Sequence, residues 1–318
     1  MNTQRRNVAA TFAVILGLGL ALGASAQGVI KFNLSPEQNR IRTEKNAKAI
    51  ALLGKSPKLA QAGKLTVAVN ATGGAALPLS GLATDDRTII GNEPDIAQLV
   101  ADGLGLELVL VPVAWEDWPL GLTSGKYDAF ISNVTVTEAR KELFDFATYR
   151  QDVLGFYVKS DNPIKAIKEP KDVAGLKIIV GSGTNQEKIL EAWDQENKSK
   201  GLKAVDFQYI DDDAASDLAI QSGRADVTFG PNATAAYKAA TNGQTKLVGI
   251  VNGGWPLSAN IAVGTKKGNG LVKAYAEVLN GIIANGKYAQ VLARWGLTAE
   301  KVDKSLVNPP GLPKPKKQ

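Results

Sequence analysis

The chain of 318 residues contains no cysteine and no histidine. Without cysteine there can be no disulfide, no thiolate metal ligand, no cysteine nucleophile and no lipidated cysteine. Without histidine the residue most used for general acid-base work, serine activation and zinc ligation is missing as well. Most hydrolase and metalloenzyme schemes fall on these two absences, and no cofactor is expected. Aromatic residues make up only 6% of the chain. Beyond residue 22 no apolar run approaches the roughly 20 residues that span a bilayer. The net charge is +6, and beyond residue 26 it is +4, from 35 basic and 31 acidic residues. That is too mild to argue for a nucleic-acid partner.

What is present begins with an export signature. Arg5 and Arg6 precede an apolar run over residues 8–22, and Ala24-Ser25-Ala26 follows with the small-x-small pattern of a secretory cleavage site. Residues 1–26 are therefore read as a cleavable signal peptide. With no cysteine to lipidate, the mature chain is expected to be free in the periplasm.

Residues 27–63, rich in Lys, Asn and Gln, read as a helical N-terminal extension packed on the main body. From residue 65 onward strand-like and helix-like runs alternate, the pattern of an α/β fold with a largely parallel sheet. Strands are predicted near 65–69, 106–113, 128–133, 178–181, 205–210, 226–230 and 247–251. The helix between the first two opens at Pro94, puts Ile96, Leu99, Val100 and Leu104 on one face, and stops at Gly105. An internal echo points to two similarly built lobes: Ser124-Gly125-Lys126-Tyr127-Asp128 returns as Ser222-Gly223-Arg224-Ala225-Asp226. In both copies the glycine suits a left-handed helix end before a strand. Two such lobes would enclose a cleft.

The expected division is 64–155 for the first part of lobe 1, 156–257 for lobe 2 and 258–307 for the return to lobe 1. Strands over 153–158 and 258–263 are expected to cross between lobes, and a long helix over 271–295 to pack back on the first. The tail 308–318 holds four prolines and is expected to be extended and mobile.

The stretch most suggestive of function is Ser132-Asn133-Val134-Thr135-Val136-Thr137, three residues before Arg140. An arginine offers a planar fork that grips a carboxylate bidentately, and neutral Ser, Asn and Thr groups fix orientation. The bland alternative is a solvated helix face, with Thr137 as its cap and Arg140 in the charged run Glu138-Ala139-Arg140-Lys141-Glu142.

Taken in order, Gly91 with Asp95, Gly103-Leu104-Gly105, Trp115, Ser124-Gly125-Lys126-Tyr127-Asp128, Thr137-Glu138-Ala139-Arg140, Phe144-Asp145-Phe146, Gly181-Ser182-Gly183-Thr184, Ser222-Gly223-Arg224-Ala225-Asp226, Gly286-Lys287-Tyr288 and Arg294-Trp295-Gly296 form an ordered set. This set resembles the periplasmic substrate-binding proteins of polar amino acid ABC importers, family 3 of the bacterial extracellular solute-binding proteins. The resemblance covers roughly residues 65–297. It implies a type II, venus-flytrap fold in which two lobes, hinged on two crossing strands, close on a ligand. By the same resemblance, Arg140 matches the arginine of the ligand α-carboxylate, and Ser132, Asn133 and Thr135 match the loop beside it. Trp115 falls at the aromatic wall, and Thr184, Asn185 and Gln186 match a second-lobe helix start whose N–H groups favour an anion. Asn70 and Asn232 stand at or beside two further ligand positions. The implied partners are a small carboxylate-bearing, amino-acid-like solute and inner-membrane permease subunits, with the chain acting as a monomer.

The chain departs from this pattern where an amino-acid ligand needs a counter-charge. The acid expected after the second lobe's Gly-Arg-x-Asp strand is Pro231, and the acid expected after the first strand is Asn70. Aromatic surface is also lost, at Ala76-Leu77-Pro78-Leu79. An enclosed ammonium without its partner costs roughly 3–5 kcal/mol. Either the charge has moved, to Asp95, Glu93 or one of Asp211, Asp212 and Asp213, or the ligand lacks a primary α-ammonium. Two other functions stay open: a dehydratase-like enzyme on this scaffold, drawing on Glu93, Asp95, Glu138 and Lys126, and a ligand-presenting partner of a membrane sensor.

Overall fold

The computed structural model describes residues 31–54, 57–71 and 77–314. The expected signal segment 1–26 and Ala76 lie outside them. A short helix α1 (Ala47–Leu53) leads into β1 (Lys64–Val69), a small hairpin β2 (Gly81–Leu82) and β3 (Ile89–Ile90), α2 (Asn92–Leu104), β4 (Glu107–Pro112), α3 (Trp118–Ser124), β5 (Ala129–Thr135) and β6 (Phe144–Gln151). There follow β7 (Val153–Lys159), β8 (Lys177–Ile179), α4 (Asn185–Ser199), β9 (Asp206–Gln208), α5 (Asp213–Gln221), β10 (Val227–Pro231), α6 (Asn232–Asn242) and β11 (Thr245–Asn252). The chain returns through β12 (Asn260–Lys266), α7 (Leu271–Ala284) and α8 (Lys287–Arg294).

Two five-stranded sheets result, ordered β4-β1-β5-β12-β6 and β11-β7-β10-β8-β9. Read from opposite edges they share one plan. Three parallel strands (β4, β1, β5 and β9, β8, β10) are followed by an antiparallel strand that arrives from the other half of the chain, β12 or β7. The second lobe is thus inserted whole between β6 and β12 of the first, and the chain crosses between the lobes just before β7 and just before β12. The helix-to-strand echo also has a physical counterpart. Gly125 and Gly223 take left-handed φ of 79° and 74°. Each following aspartate then accepts a backbone N–H near the start of the neighbouring strand, Asp128 from Thr66 at 2.8 Å and Asp226 from Lys177 at 2.9 Å.

Each lobe has its own core. In the first, Leu65, Val67, Ile96, Leu99, Val278 and Ile282 fill one face of the sheet, and Trp118, Phe130, Phe144 and Phe146 fill the other. In the second, Phe156 and Phe229 stack at 4.0 Å with Trp193 of α4 beside them. α2 begins at Asn92, two residues before Pro94, and ends on left-handed Gly105 with Ile96, Leu99, Val100 and Leu104 buried.

Three expectations are corrected. The strands expected to cross between lobes each lie wholly in one sheet, because the change of sheet falls before them: at Asp152, between β6 and β7, and over residues 253–259. The first change therefore comes ahead of the expected boundary at 155/156. The helix over 271–295 is two helices, broken at Asn285 and at Gly286, whose φ is 78°. The tail is not loose through residue 314: the β6 edge binds it, with Thr148 N–H donating to Leu306 and Asn308 N–H to Phe146, and Leu312 exchanges bonds with Val136 and Glu138. An unpaired edge strand offers exactly the backbone groups that an extended, proline-rich segment can still satisfy on one side.

Candidate ligand-binding cleft

In both sheets the parallel strand order reverses around a central strand, between β1 and β5 and between β8 and β10. Ligands of open α/β sheets sit outside the carboxyl ends of the strands at such a point. The residues singled out in the sequence cluster at these ends. Ser132 Oγ accepts the Asn70 N–H at 2.6 Å, tying the end of β1 to β5, and the Asn70 carbonyl accepts the Ser80 hydroxyl. Asn133 has a left-handed backbone, φ 51°. Its side chain is shared, Oδ1 accepting from Arg150 at 2.5 Å and Nδ2 donating to Asp152 at 3.4 Å. The Thr135 hydroxyl donates to Asp152 Oδ2 at 3.0 Å.

The next turn positions the arginine. Thr137 Oγ1 accepts the Arg140 N–H at 3.1 Å and caps the 3-10 turn Arg140–Glu142. This bond holds the Arg140 backbone, while its side chain turns back to the Thr135 carbonyl at the end of β5. The Arg140 guanidinium lies 5.4 Å from the Trp115 ring centre and 6.0 Å from that of Trp118. One Nη donates to the Thr135 carbonyl at 2.8 Å, and the other reaches the Gly183 carbonyl of the second lobe at 3.5 Å. Burial pulls this guanidinium down to about 10, against the attraction of the Asp152 carboxylate. Among the described residues no carboxylate pairs with it within 4.0 Å. A shielded cation of this kind, held by carbonyls and an aromatic face, is under-neutralised and suited to an incoming carboxylate.

Across the cleft, Thr184 is the N-cap of α4. Its hydroxyl accepts Glu187 N–H at 3.2 Å and donates to the Gly181 carbonyl at 2.6 Å, while the Glu187 carboxylate accepts Gly183 N–H at 2.7 Å. These bonds consume the Gly183 and Glu187 donors. The first-turn N–H groups of Asn185 and Gln186 have no partner within the helix. The Asn185 side chain is buried, and among the described residues its Nδ2 has no acceptor. Asn232 opens α6 beside Pro231 and accepts the Tyr157 hydroxyl at 3.0 Å.

Of the acids proposed for a relocated counter-charge, Glu93, Asp95, Asp212 and Asp213 are engaged elsewhere, and Asp211 is exposed to solvent. Glu93 is fully buried, accepts the Tyr149 hydroxyl and pairs with Arg150 at 3.2 Å. Burial raises its pKa in spite of those partners. Asp95 accepts Trp295 Nε1 at 2.8 Å and pairs with Arg294 at 3.5 Å and Arg40 at 3.6 Å. Asp212 caps α5 through Ala215 N–H at 2.7 Å, and Asp213 pairs with Lys238 at 3.2 Å. Sequence reasoning did not single out the buried polar group at the first crossing between the lobes, Asp152 with Arg150, Tyr149 and Glu300. Its one signal was a charged pair, Arg150 and Asp152, interrupting two apolar strand patterns where the lobes meet.

The model of the bacterial extracellular solute-binding proteins, family 3, matches residues 65–298. The chain belongs to this family. The family 3 protein is 32% identical over 182 residues to the L-cystine-binding protein TcyJ of Escherichia coli (strain K12), across 57% of this chain and 64% of that one. The match thus spans just under two thirds of that relative. It is 27% identical over 261 residues to the arginine-binding protein ArgT of Corynebacterium glutamicum, across 79% and 80% of the two chains. An ancestral arginine-binding protein, solved bound to arginine, matches with a TM-score of 0.63 at 26% identity, over 73% of this chain and 98% of that one. A mutant of ArgBP from T. maritima shares the fold with a TM-score of 0.64 at 23% identity, over 78% and 99%.

Proposed function

We propose that this family 3 protein captures an amino acid, or a close derivative, between its lobes in the periplasm and delivers it to the permease of an ABC importer. The observation that carries the reading is Arg140: a half-buried guanidinium without a carboxylate partner among the described residues, facing the start of α4 across the cleft. The ligand α-carboxylate bridges the two, taking the guanidinium from the first lobe and the Asn185 and Gln186 N–H groups from the second. Its charge draws the lobes together, so closure and binding are one event. Trp115 offers a flat wall to the ligand side chain. Relatives named for cystine and for arginine support an amino-acid ligand, and the sequence signature at 1–26 supports export.

The chain binds without chemistry in this reading. Glu93 and Asp95 are tied into the first-lobe core, and Glu138 accepts Lys141 and the Gly311 N–H. Titration calorimetry with L-arginine, L-histidine and L-cystine tests the account. Arg140→Ala is expected to weaken whichever of these binds by about 100-fold or more, the scale of a buried charge-assisted pair. Unchanged affinity would remove the assignment.

A further inference from the structure

Pro231 leaves the second lobe without an acid for the ligand ammonium, and Glu93, Asp95, Asp212 and Asp213 all have partners of their own. One buried carboxylate at the crossing between the lobes has none of comparable strength. Asp152 is 1% exposed, and among the described residues it forms no ion pair within 4.0 Å. Its side-chain bonds are to neutral groups of the ligand-facing strand end, Thr135 at 3.0 Å and Asn133 at 3.4 Å. Asp152 also joins the two crossings. Its N–H donates to Ala259 at 3.1 Å and its carbonyl accepts Gly253 N–H at 3.0 Å. Gly253 has no room for a Cβ because the Asp152 side chain fills that space.

We propose that Asp152 supplies the counter-charge for the ammonium of an amino-acid ligand, from the hinge, in place of the second-lobe acid replaced by Pro231. The inference rests on the amino-acid-binding reading above. Hydrogen-bond polarity carries it. An ionised carboxylate only accepts, so Thr135 must spend its single hydroxyl proton on Asp152. What Thr135 then turns to a ligand is a lone pair, which meets an N–H donor and repels a carboxylate. Arg140 bonds the backbone carbonyl of the same Thr135 at 2.8 Å. Carboxylate and ammonium seats therefore lie side by side, as the two groups do on one α-carbon. The surroundings also hold an acid excess. Arg150 is shared by Glu93 and Glu300 and reaches Asp152 only through Asn133. A ligand cation offsets that excess. Burial alone explains a neutral hinge acid; it does not explain one that fixes the donor direction of the hydroxyl beside Arg140.

The test pairs each amino acid with its desamino analogue: L-arginine with 5-guanidinopentanoate, and L-histidine with 3-(imidazol-4-yl)propanoate, titrated into wild type and Asp152→Asn. The expected result is a loss of about 100-fold for the amino acid, with less than about threefold change for the analogue. Thr135→Val, which leaves the hinge intact, is expected to lose about tenfold for the amino acid only. Should Asp152→Asn fail to fold, this second variant decides. Amino-acid affinity unchanged in both variants, or equal losses for both members of a pair, would overturn the inference and leave the binding reading standing. Wild type that binds the analogues but not the amino acids would overturn the inference while keeping the carboxylate site on Arg140. Wild type that binds none of the four compounds would remove the reading and the inference together.

Discussion

Asp128 and Asp226 stand at the same point of the two lobes, yet their surroundings differ. Asp128 is buried and accepts two backbone N–H groups, from Thr66 and Ala60, whereas the Asp226 bond to Lys177 is exposed. Asp128→Ala leaves a buried donor unpaired and is expected to cost about 1–3 kcal/mol, while Asp226→Ala costs well under 1 kcal/mol because water replaces the acceptor. Urea unfolding of the two variants checks the difference. Asp152 makes a pH prediction. Burial raises its carboxyl from 3.8 to about 6, with Thr135 and Arg150 pulling the other way. The native state therefore holds this proton over a window in which the unfolded chain has released it. The contribution to stability is greatest below about 4, falls as pH rises to about 6, and is flat beyond. Glu300, Arg150 and Arg140 face the same group, so the measurement is the difference in melting temperature between wild type and Asp152→Asn across that window. A difference that stays constant with pH would contradict the assignment.

At the scale of elements, the strand and helix order was legible because each parallel strand is a short apolar run bounded by turn residues, and because helix ends carry glycine. The motif around Arg140 drew attention to residues that the fold brings together at the strand ends, Ser132, Asn133, Thr135 and Arg140. What was not legible depends on contacts distant in sequence. The apolar pattern of α7 continues into α8, since Ile282 and Leu292 both face the first-lobe core. Only the backbone at Gly286 separates the two helices. The tail reads as unstructured by composition, yet its partner is the free edge of β6, which no local pattern discloses. Removing residues 306–318 takes away the Leu306, Asn308 and Leu312 backbone bonds and uncovers that edge. The expected outcome is a melting temperature lower by several degrees and concentration-dependent association. Scanning calorimetry and light scattering read the two effects; an unchanged melting point would show that the tail contributes nothing to the edge. Asp152 escaped notice for a related reason: a single acid between two strands gains meaning only when Gly253, Thr135 and Asn133 are brought around it.

At the scale of the whole molecule, the two lobes share one topology, the second inserted whole between β6 and β12 of the first, and three of the contacts between them bear on the cleft. Asp152 joins the crossings, Arg140 reaches the Gly183 carbonyl, and Phe32 of the N-terminal extension lies between Tyr237 of the second lobe and Trp295 of the first, at 4.9 and 5.2 Å. The first two contacts would put the proposed ligand carboxylate and the hinge on one path, and the third is a strap of the extension across both lobes. The central claim is that this cleft holds an amino acid by its carboxylate. A thermal-shift screen of the chain from Gln27 against the common amino acids and L-cystine, with Arg140→Ala alongside, tests it most directly. Ligand at a thousand times its dissociation constant adds about 4 kcal/mol. A rise of several degrees with at least one amino acid in wild type, absent from Arg140→Ala, is the predicted result. No shift with any of them, or an equal shift in the variant, would contradict it.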